Sequence, residues 1–174
     1  KNHVFPIDDR RAERFDAATA GRPDLMGKRT SLTVYVGMTG IMENAFINTK
    51  NRSYTITADV ELANPNTNGV IISQAGRFGG WSLYMKNGRI HHEYNYFGLE
   101  RTNIGSTKPV TAGKHVIKYE FVFDGGKPGS GGKCMLYVDD QKAAEGRIPK
   151  TQPFLYSADE GVDVGMDGET AVST

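Results

Sequence analysis

The chain has little of what usually announces chemistry. In 174 residues there is a single cysteine, Cys134, and a single tryptophan, Trp81. One thiol cannot close an internal disulfide, and it suits a reducing compartment as well as an oxidising one, so the compartment stays open. No Cys-x-x-Cys and no His-x-x-x-His occurs, and the histidines at 3, 91, 92 and 115 are scattered, so a zinc site has no local support. Charge of one sign is also missing. Lys and Arg number 21 against 20 Asp and Glu, a net charge of +1, which argues against the one-sided field of a nucleic-acid binder. No apolar run approaches the ~20 residues of a membrane span, and the first residues do not read as a secretory leader, so no membrane association is expected. The glycine clusters lie between strands and lack a following Lys-Ser/Thr pair, which excludes a phosphate-cradling nucleotide loop.

What the chain does have is alternation. From Ser53 to Leu62, Tyr54, Ile56, Ala58, Val60 and Leu62 face one way and Thr55, Thr57, Asp59 and Glu61 the other, a half-buried strand. Gly69 to Ala75 reads as a mostly apolar strand leading into a glycine corner at 76, 79 and 80. Beyond it Trp81, Leu83 and Met85 share one face, with Ser82, Tyr84 and Lys86 on the other. Asn87-Gly88 supplies the two positive-φ residues of a type I′ hairpin turn into Arg89 to Tyr96. Lys114 to Asp124 repeats the pattern with Ile117, Tyr119, Phe121 and Phe123 inward. The run Gly125 to Gly132 reads as a loop without structure of its own, and Lys133 to Val138 opens a second hairpin through Asp139-Asp140.

Short strands with turn signals every eight to twelve or so residues, beginning from about Ser31, predict an all-β fold, an antiparallel sandwich of jelly-roll type. Trp81, Ile117, Tyr119 and Phe121 are its expected core. Residues 1–28 are polar and charged, with Ala12 to Ala20 as the one helical piece, and read as a mostly irregular connecting arm; 29–174 form the sandwich. The first residue, Lys1, predicts a fragment or a processed chain.

Three clusters invite a chemical reading. His91-His92-Glu93 suggests acid–base work, but on a strand His92 shares a face with Tyr94 and Tyr96, which reads better as a packed aromatic ladder. Asp159, Glu160, Asp163, Asp167 and Glu169 offer oxygen ligands, yet their spacing is not that of a calcium loop and a solvated acidic stretch is expected. Asn51-Arg-Ser53 fits the glycosylation pattern, which matters only in a secreted eukaryotic chain.

Several blocks then read together. Gly21-Arg-Pro-Asp-Leu-Met26, Glu43-Asn-Ala45, Lys50-Asn-Arg-Ser53, Asn68-Gly-Val-Ile-Ile72, Gly76-Arg-Phe-Gly-Gly-Trp-Ser-Leu-Tyr84, Phe97-Gly-Leu-Glu-Arg101, Ala112-Gly-Lys-His115 and Ser157-Ala-Asp-Glu160 resemble the C-terminal region of bacterial arylsulfatases of the type I sulfatase family. The resemblance runs over nearly the whole chain, and Pro6 to Arg14 is similar to the segment that leaves the family's catalytic domain. It implies a non-catalytic, concanavalin A-like or laminin-G-like accessory domain, periplasmic or cytoplasmic, whose partner in cis is a sulfatase catalytic domain. That parent would use a formylglycine, made from the Cys or Ser of a Cys/Ser-x-Pro-x-Arg motif, beside a divalent cation, calcium. This chain carries no such motif. Cys134 is followed by Met-Leu-Tyr-Val, and Asp8-Asp9 sits in the exit arm, not where the family's metal-binding pair lies. No cofactor and no catalytic residue is therefore expected here. The expected ligand surface is the corner and hairpin around Arg77, His91, Tyr94, Tyr96 and Arg101, where aromatic faces and guanidinium groups suit a carbohydrate or a sulfated ligand.

Overall fold

The computed structural model describes residues 25–157 and 159–173, so the arm of residues 1–28, its helical piece and Asp8-Asp9 fall almost wholly outside the described residues. Among the described residues nine strands follow in chain order: β1 (Tyr54–Leu62), β2 (Gly69–Gly76), β3 (Gly79–Lys86), β4 (Arg89–Tyr96), β5 (Glu100–Gly105), β6 (Gly113–Phe123), β7 (Ser130–Val138), β8 (Gln141–Lys150) and β9 (Val162–Val164). They form two antiparallel sheets, β1-β6-β7-β8 and β5-β4-β3-β2-β9, stacked face to face as the alternation predicts. No helix among the described residues is long and apolar enough to cross a membrane.

Register converts the sequence pattern into one core. Tyr54, Ile56 and Ala58 stand opposite Phe121, Tyr119 and Ile117, which in turn face Cys134, Leu136 and Val138. On the second sheet Gln74 and Ile72 pair with Trp81 and Leu83, and Trp81, Leu83 and Met85 with Tyr94, His92 and Ile90. Trp81, Leu83, Ile90, Ile117, Tyr119 and Leu136 are fully buried, and Phe121 nearly so. Aromatic rings lock the layers: His92 stacks on Tyr119 of the opposite sheet at 3.8 Å and 8°, and Tyr54 meets Tyr119, Phe121 and Trp81 at 5.9, 5.5 and 6.3 Å.

Both expected hairpins form through left-handed pairs, Asn87-Gly88 (φ 50° and 70°) and Asp139-Asp140 (φ 48° and 61°). Three features differ from expectation. No strand occupies 31–53. A 3-10 turn, Glu43–Ala45, and a bridge from Ile41 to Val162 are found there instead. The glycine run ends inside β7, because Gly132 faces the Phe121 ring, where a Cβ would come within 2.4 Å of a ring carbon. The acidic stretch is not simply solvated: it contains β9, and Asp163 accepts from the Gly40 and Gly168 amides at 2.7 and 3.0 Å.

Candidate functional site

Alternation along β3, β4 and β5 that fills the core also sends polar side chains to the outer face of the five-stranded sheet. Asp163, Ser73, Ser82, Glu93 and Asn103 stand in register across all five strands, one row from β9 to β5. Glu93 is 7% exposed, and a buried carboxylate must be compensated. Arg101 Nη1 donates to its Oε1 at 3.3 Å, while Asn103 Nδ2 and the Tyr84 hydroxyl donate to its Oε2 at 3.1 and 3.3 Å. Asn103 Nδ2 also reaches the Tyr84 oxygen at 2.8 Å, and its Oδ1 accepts from His91 Nδ1 at 3.0 Å, an arrangement that leaves the neutral ring's Nε2 as an acceptor. The His91 ring lies on Tyr84, 5.3 Å between centroids and 14° between planes. It leans over Gly105, where a Cβ would sit 2.3 Å from Nδ1. Burial and the Glu93 charge push the Tyr84 phenol up to about 12.

The C-terminal segment straps this face. Ser73 Oγ donates to Met166 O at 3.1 Å and Arg101 Nη1 to Val172 O, so the segment is fastened on β2 and on β5, on either side of β3 and β4. Val172 is fully buried, and its amide donates to Asp167 Oδ2 at 2.9 Å. Desolvation is the main cause that pushes the Asp167 carboxyl up to about 6. Ser82 Oγ and Asp167 Oδ1 are buried without a partner among the described residues.

At one end of the same sheet the β2–β3 and β4–β5 turns meet in a braced corner. Buried Asn95 donates through Nδ2 to the Gly76 and Arg77 carbonyls at 3.0 and 2.8 Å and accepts from Gly98 N at 2.9 Å, tying one turn to the other. Phe97 and Gly98 take φ of 54° and 71° to make the return. Behind them Thr170 Oγ1 accepts from Arg77 N at 3.1 Å, and Glu160 packs where Gly76 lacks a side chain. What the corner presents is apolar: Phe78 is 73% exposed and Leu99 80%, with Phe97 and Arg77 also exposed.

The five residues expected to form one ligand surface therefore fall in three places. Arg77 stands at the corner, with Tyr96 behind it, half-buried, its ring packed edge-on to Phe97 and under the Lys150 ammonium at 4.4 Å. His91 and Arg101 belong to the outer-face network. Tyr94 is corrected: it faces inward, is 2% exposed, and its hydroxyl accepts from Gln152 N at 2.7 Å, because it shares the core side of β4 with His92. The residues that sequence reasoning passed over are Ser82, Tyr84 and Asn103, while Glu93 was singled out only with its neighbours His91 and His92. Their outward position was legible, but only strand register places Glu93 beside Asn103.

The remaining titratable groups are accounted for by packing. His92 is fully buried and burial lowers its imidazole to about 3, so it stays neutral. His115 Nδ1 lies 2.7 Å from Asp139 Oδ2, and its Nε2 lies 2.9 Å from the Thr111 carbonyl and 3.3 Å from the Thr111 hydroxyl. Carbonyl and hydroxyl compete for one nitrogen, so the ring clamps two loops and leaves no base free for a nucleophile. The Cys134 thiol is buried, accepts from the Tyr119 hydroxyl at 3.3 Å and is pushed up to about 11, the opposite of an activated cysteine. Among the described residues no three His, Cys, Asp or Glu side chains gather as metal ligands. The Asn51 amide of the glycosylation pattern is engaged on both sides, donating to Pro153 O at 2.7 Å and accepting from Gly129 N at 2.8 Å.

Comparison with known proteins adds the fold. No family model matches the chain, and no curated protein does. Among solved structures it is similar to the mouse laminin alpha1 chain, domains LG4-5, with 16% sequence identity and a TM-score of 0.53. That likeness covers 73% of this chain and 32% of the laminin chain, so this chain spans about a third of the structure it matches. The architecture is a laminin-G-like, jelly-roll β-sandwich.

Proposed function

We propose that this domain is the non-catalytic accessory sandwich of a sulfatase of the formylglycine-dependent kind, packed in cis on the catalytic domain and shaping its cleft. The observation that carries the reading is the corner. Phe78 and Leu99 are held out into solvent on turns braced by Asn95, Thr170 and Glu160, and an apolar surface held rigid in this way is pre-organised for a protein partner. Arg77, between them, makes no side-chain hydrogen bond or ion pair among the described residues and suits a carboxylate on that partner. That the partner is a sulfatase catalytic domain is supported by the sequence blocks that resemble those of arylsulfatases. The family's own chemistry does not fit the residues here. Cys134 lacks the proline and arginine of the modification motif and is buried with a raised pKa, so no step of ester hydrolysis is derived from this chain.

Two measurements test this. The coding sequence upstream should contain Cys/Ser-x-Pro-x-Arg, and its absence sinks the sulfatase assignment. The catalytic region and this domain, made as separate chains, should associate, and Phe78→Ser with Leu99→Ser should weaken that association at least tenfold, about 1.4 kcal/mol or more, without changing the melting temperature of the sandwich. Unchanged affinity would remove the corner from the interface.

Carbohydrate or sulfated-ligand binding is the second reading. It is favoured by the outer-face network, where planar polar groups are fixed by one another and the row opens to solvent at Asn103 and Arg101.

A further inference from the structure

We propose, resting on the accessory-domain reading, that the interface with the catalytic domain does not end at the corner but runs on along the β9 edge, where the Tyr35–Met38 turn forms its second half. The turn is built to present side chains. Met38 N donates to Tyr35 O at 3.1 Å, and Gly37 takes φ of 88°, the left-handed value that the third residue of a type II turn requires. Two further bonds clamp it to β9: Gly37 N donates to Val164 O at 3.0 Å, and Val164 N to Met38 O at 2.9 Å. Val36, second in the turn, lies so close on the Gly165 backbone that a Cβ there would come within 2.6 Å of its Cγ2. Val36 is nevertheless 83% exposed and Tyr35 65%, with Met38 and Met166 open beside them. Apolar side chains held out on a fixed turn spare a partner the ordering entropy that a loose loop would cost.

The edge and the corner form one surface. From the corner, Arg77 N donates to Thr170 Oγ1 at 3.1 Å and Thr170 N to Glu160 Oε1 at 3.2 Å. Next to Glu160, Gly161 backs onto Ile41, where a Cβ would come within 2.5 Å of the carbonyl oxygen, and Ile41 is flanked by exposed Met42. Val164 pairs with Ile72, four residues before the corner glycine Gly76. With ~3.3 Å per residue along a strand and ~4.8 Å between strands, the turn's backbone lies roughly 16 Å from the corner's. A standard contact buries about 800 Å² on each partner and is roughly 30 Å across, so one partner covers both. Of the twelve large apolar side chains exposed among the described residues, three stand at the corner and five, Tyr35, Val36, Met38, Met42 and Met166, along this edge. That concentration on one rim marks an interaction surface, and Tyr, Phe, Met and Arg are the residue types that interface cores favour.

Connectivity selects the occupant. The described chain comes in at Leu25, ten residues ahead of Tyr35, so a domain carried upstream is joined to the sandwich close to the turn. A short tether holds such a partner at an effective concentration of about millimolar, which a second copy of this chain, free in solution, does not reach.

The experiment uses the whole 174-residue chain and, as probe, the polypeptide encoded upstream of Lys1, made separately. With the probe in excess, dilute hydrogen peroxide should oxidise Met38, Met42 and Met166 roughly threefold more slowly or less, while buried Met85 is unchanged. By calorimetric titration, Tyr35→Ser with Val36→Ser should weaken the association roughly tenfold with the melting temperature within a few degrees, and Met166→Gln, outside the turn, severalfold. Adding Phe78→Ser and Leu99→Ser should weaken it further. If the corner changes weaken association while the edge changes do not and the methionines stay unprotected, this inference falls and the accessory-domain reading stands. No association with the probe overturns both. Slow oxidation of the three methionines in the chain alone overturns the inference, since the edge would then be covered without the partner. Sedimentation that shows the chain alone as a dimer, made monomeric by Tyr35→Ser with Val36→Ser, gives the edge to a second copy and overturns it as well.

Discussion

His92 presents the sharpest conflict of any single residue. It is fully buried, stacked on Tyr119 at 3.8 Å and on Trp81 at 6.2 Å, and neither ring nitrogen has a partner among the described residues. A buried polar atom left unmade costs about 1–3 kcal/mol, so the ring is retained for its flat shape against two aromatics at the expense of its donor and acceptor. Phenylalanine keeps the shape and removes both orphans. His92→Phe should therefore leave the urea midpoint at pH 7 unchanged or raise it, and a loss above about 2 kcal/mol would mean that a water or side chain satisfies the nitrogens in solution. Phe121 is the ordinary case beside it. It is 3% exposed, packed on Tyr54 and over Gly132, with no polar atom to relieve, so Phe121→Ala should cost about 3–5 kcal/mol by chemical denaturation.

Elements were legible wherever one face of a strand is apolar. The inward sets of β1, β3 and β6 and both left-handed hairpins follow from period-two alternation and from Asn-Gly or Asp-Asp pairs, which are local facts of the chain. Residues 31–53, where strands are expected from about Ser31, form none because they pair with β9 only at isolated points, such as Gly37 N to Val164 O at 3.0 Å. Tyr94 is the converse: an aromatic with a polar tip suits a ligand platform or a core, and its place on the core side of β4 with His92, its hydroxyl accepting from the Gln152 amide, makes it core. The candidate site was half legible. His91, Glu93 and Arg101 were named, whereas Asn103, its place beside Glu93 and the strap depend on which strands are neighbours, a non-local fact. The corner is likewise a joint product of two turns, and Asn95 holds it. Asn95→Ala strands two carbonyls and one amide, so it should lower stability by about 1–3 kcal/mol and broaden the amide signals of residues 76–78 and 97–99. A variant with unchanged stability and sharp signals would show that the turns hold each other without it.

Across the whole molecule two buried titrations of opposite sign meet. The His92 imidazole is lowered from an ordinary 6.5 to about 3, so between those values the unfolded chain binds more protons than the folded one. Its contribution is complete above 6.5 and is lost as pH falls, by up to about 1.4 kcal/mol per pH unit. The Asp167 carboxyl is raised from 3.8 to about 6, so between those values the folded chain binds more protons, and stability is lost as pH rises. One group sits between the sheets and the other beneath the strap, on opposite faces of the five-stranded sheet, so they act independently and their slopes oppose over the range from about 4 to 6. The intact domain should then show a flatter stability profile there than either group alone would give. Asp167→Asn removes one arm and should steepen the fall on acidification from pH 6 to pH 4, whereas His92→Phe should leave a domain that gains stability over the same interval. Exposed carboxylates such as Asp139 and Glu145, which are lowered by their hydrogen bonds, add the same slope to every variant and cancel in the comparison. Urea midpoints at half-unit steps from pH 4 to pH 7 for the three proteins read this directly, and parallel profiles for all three would show that neither group titrates differently in the folded and unfolded chain.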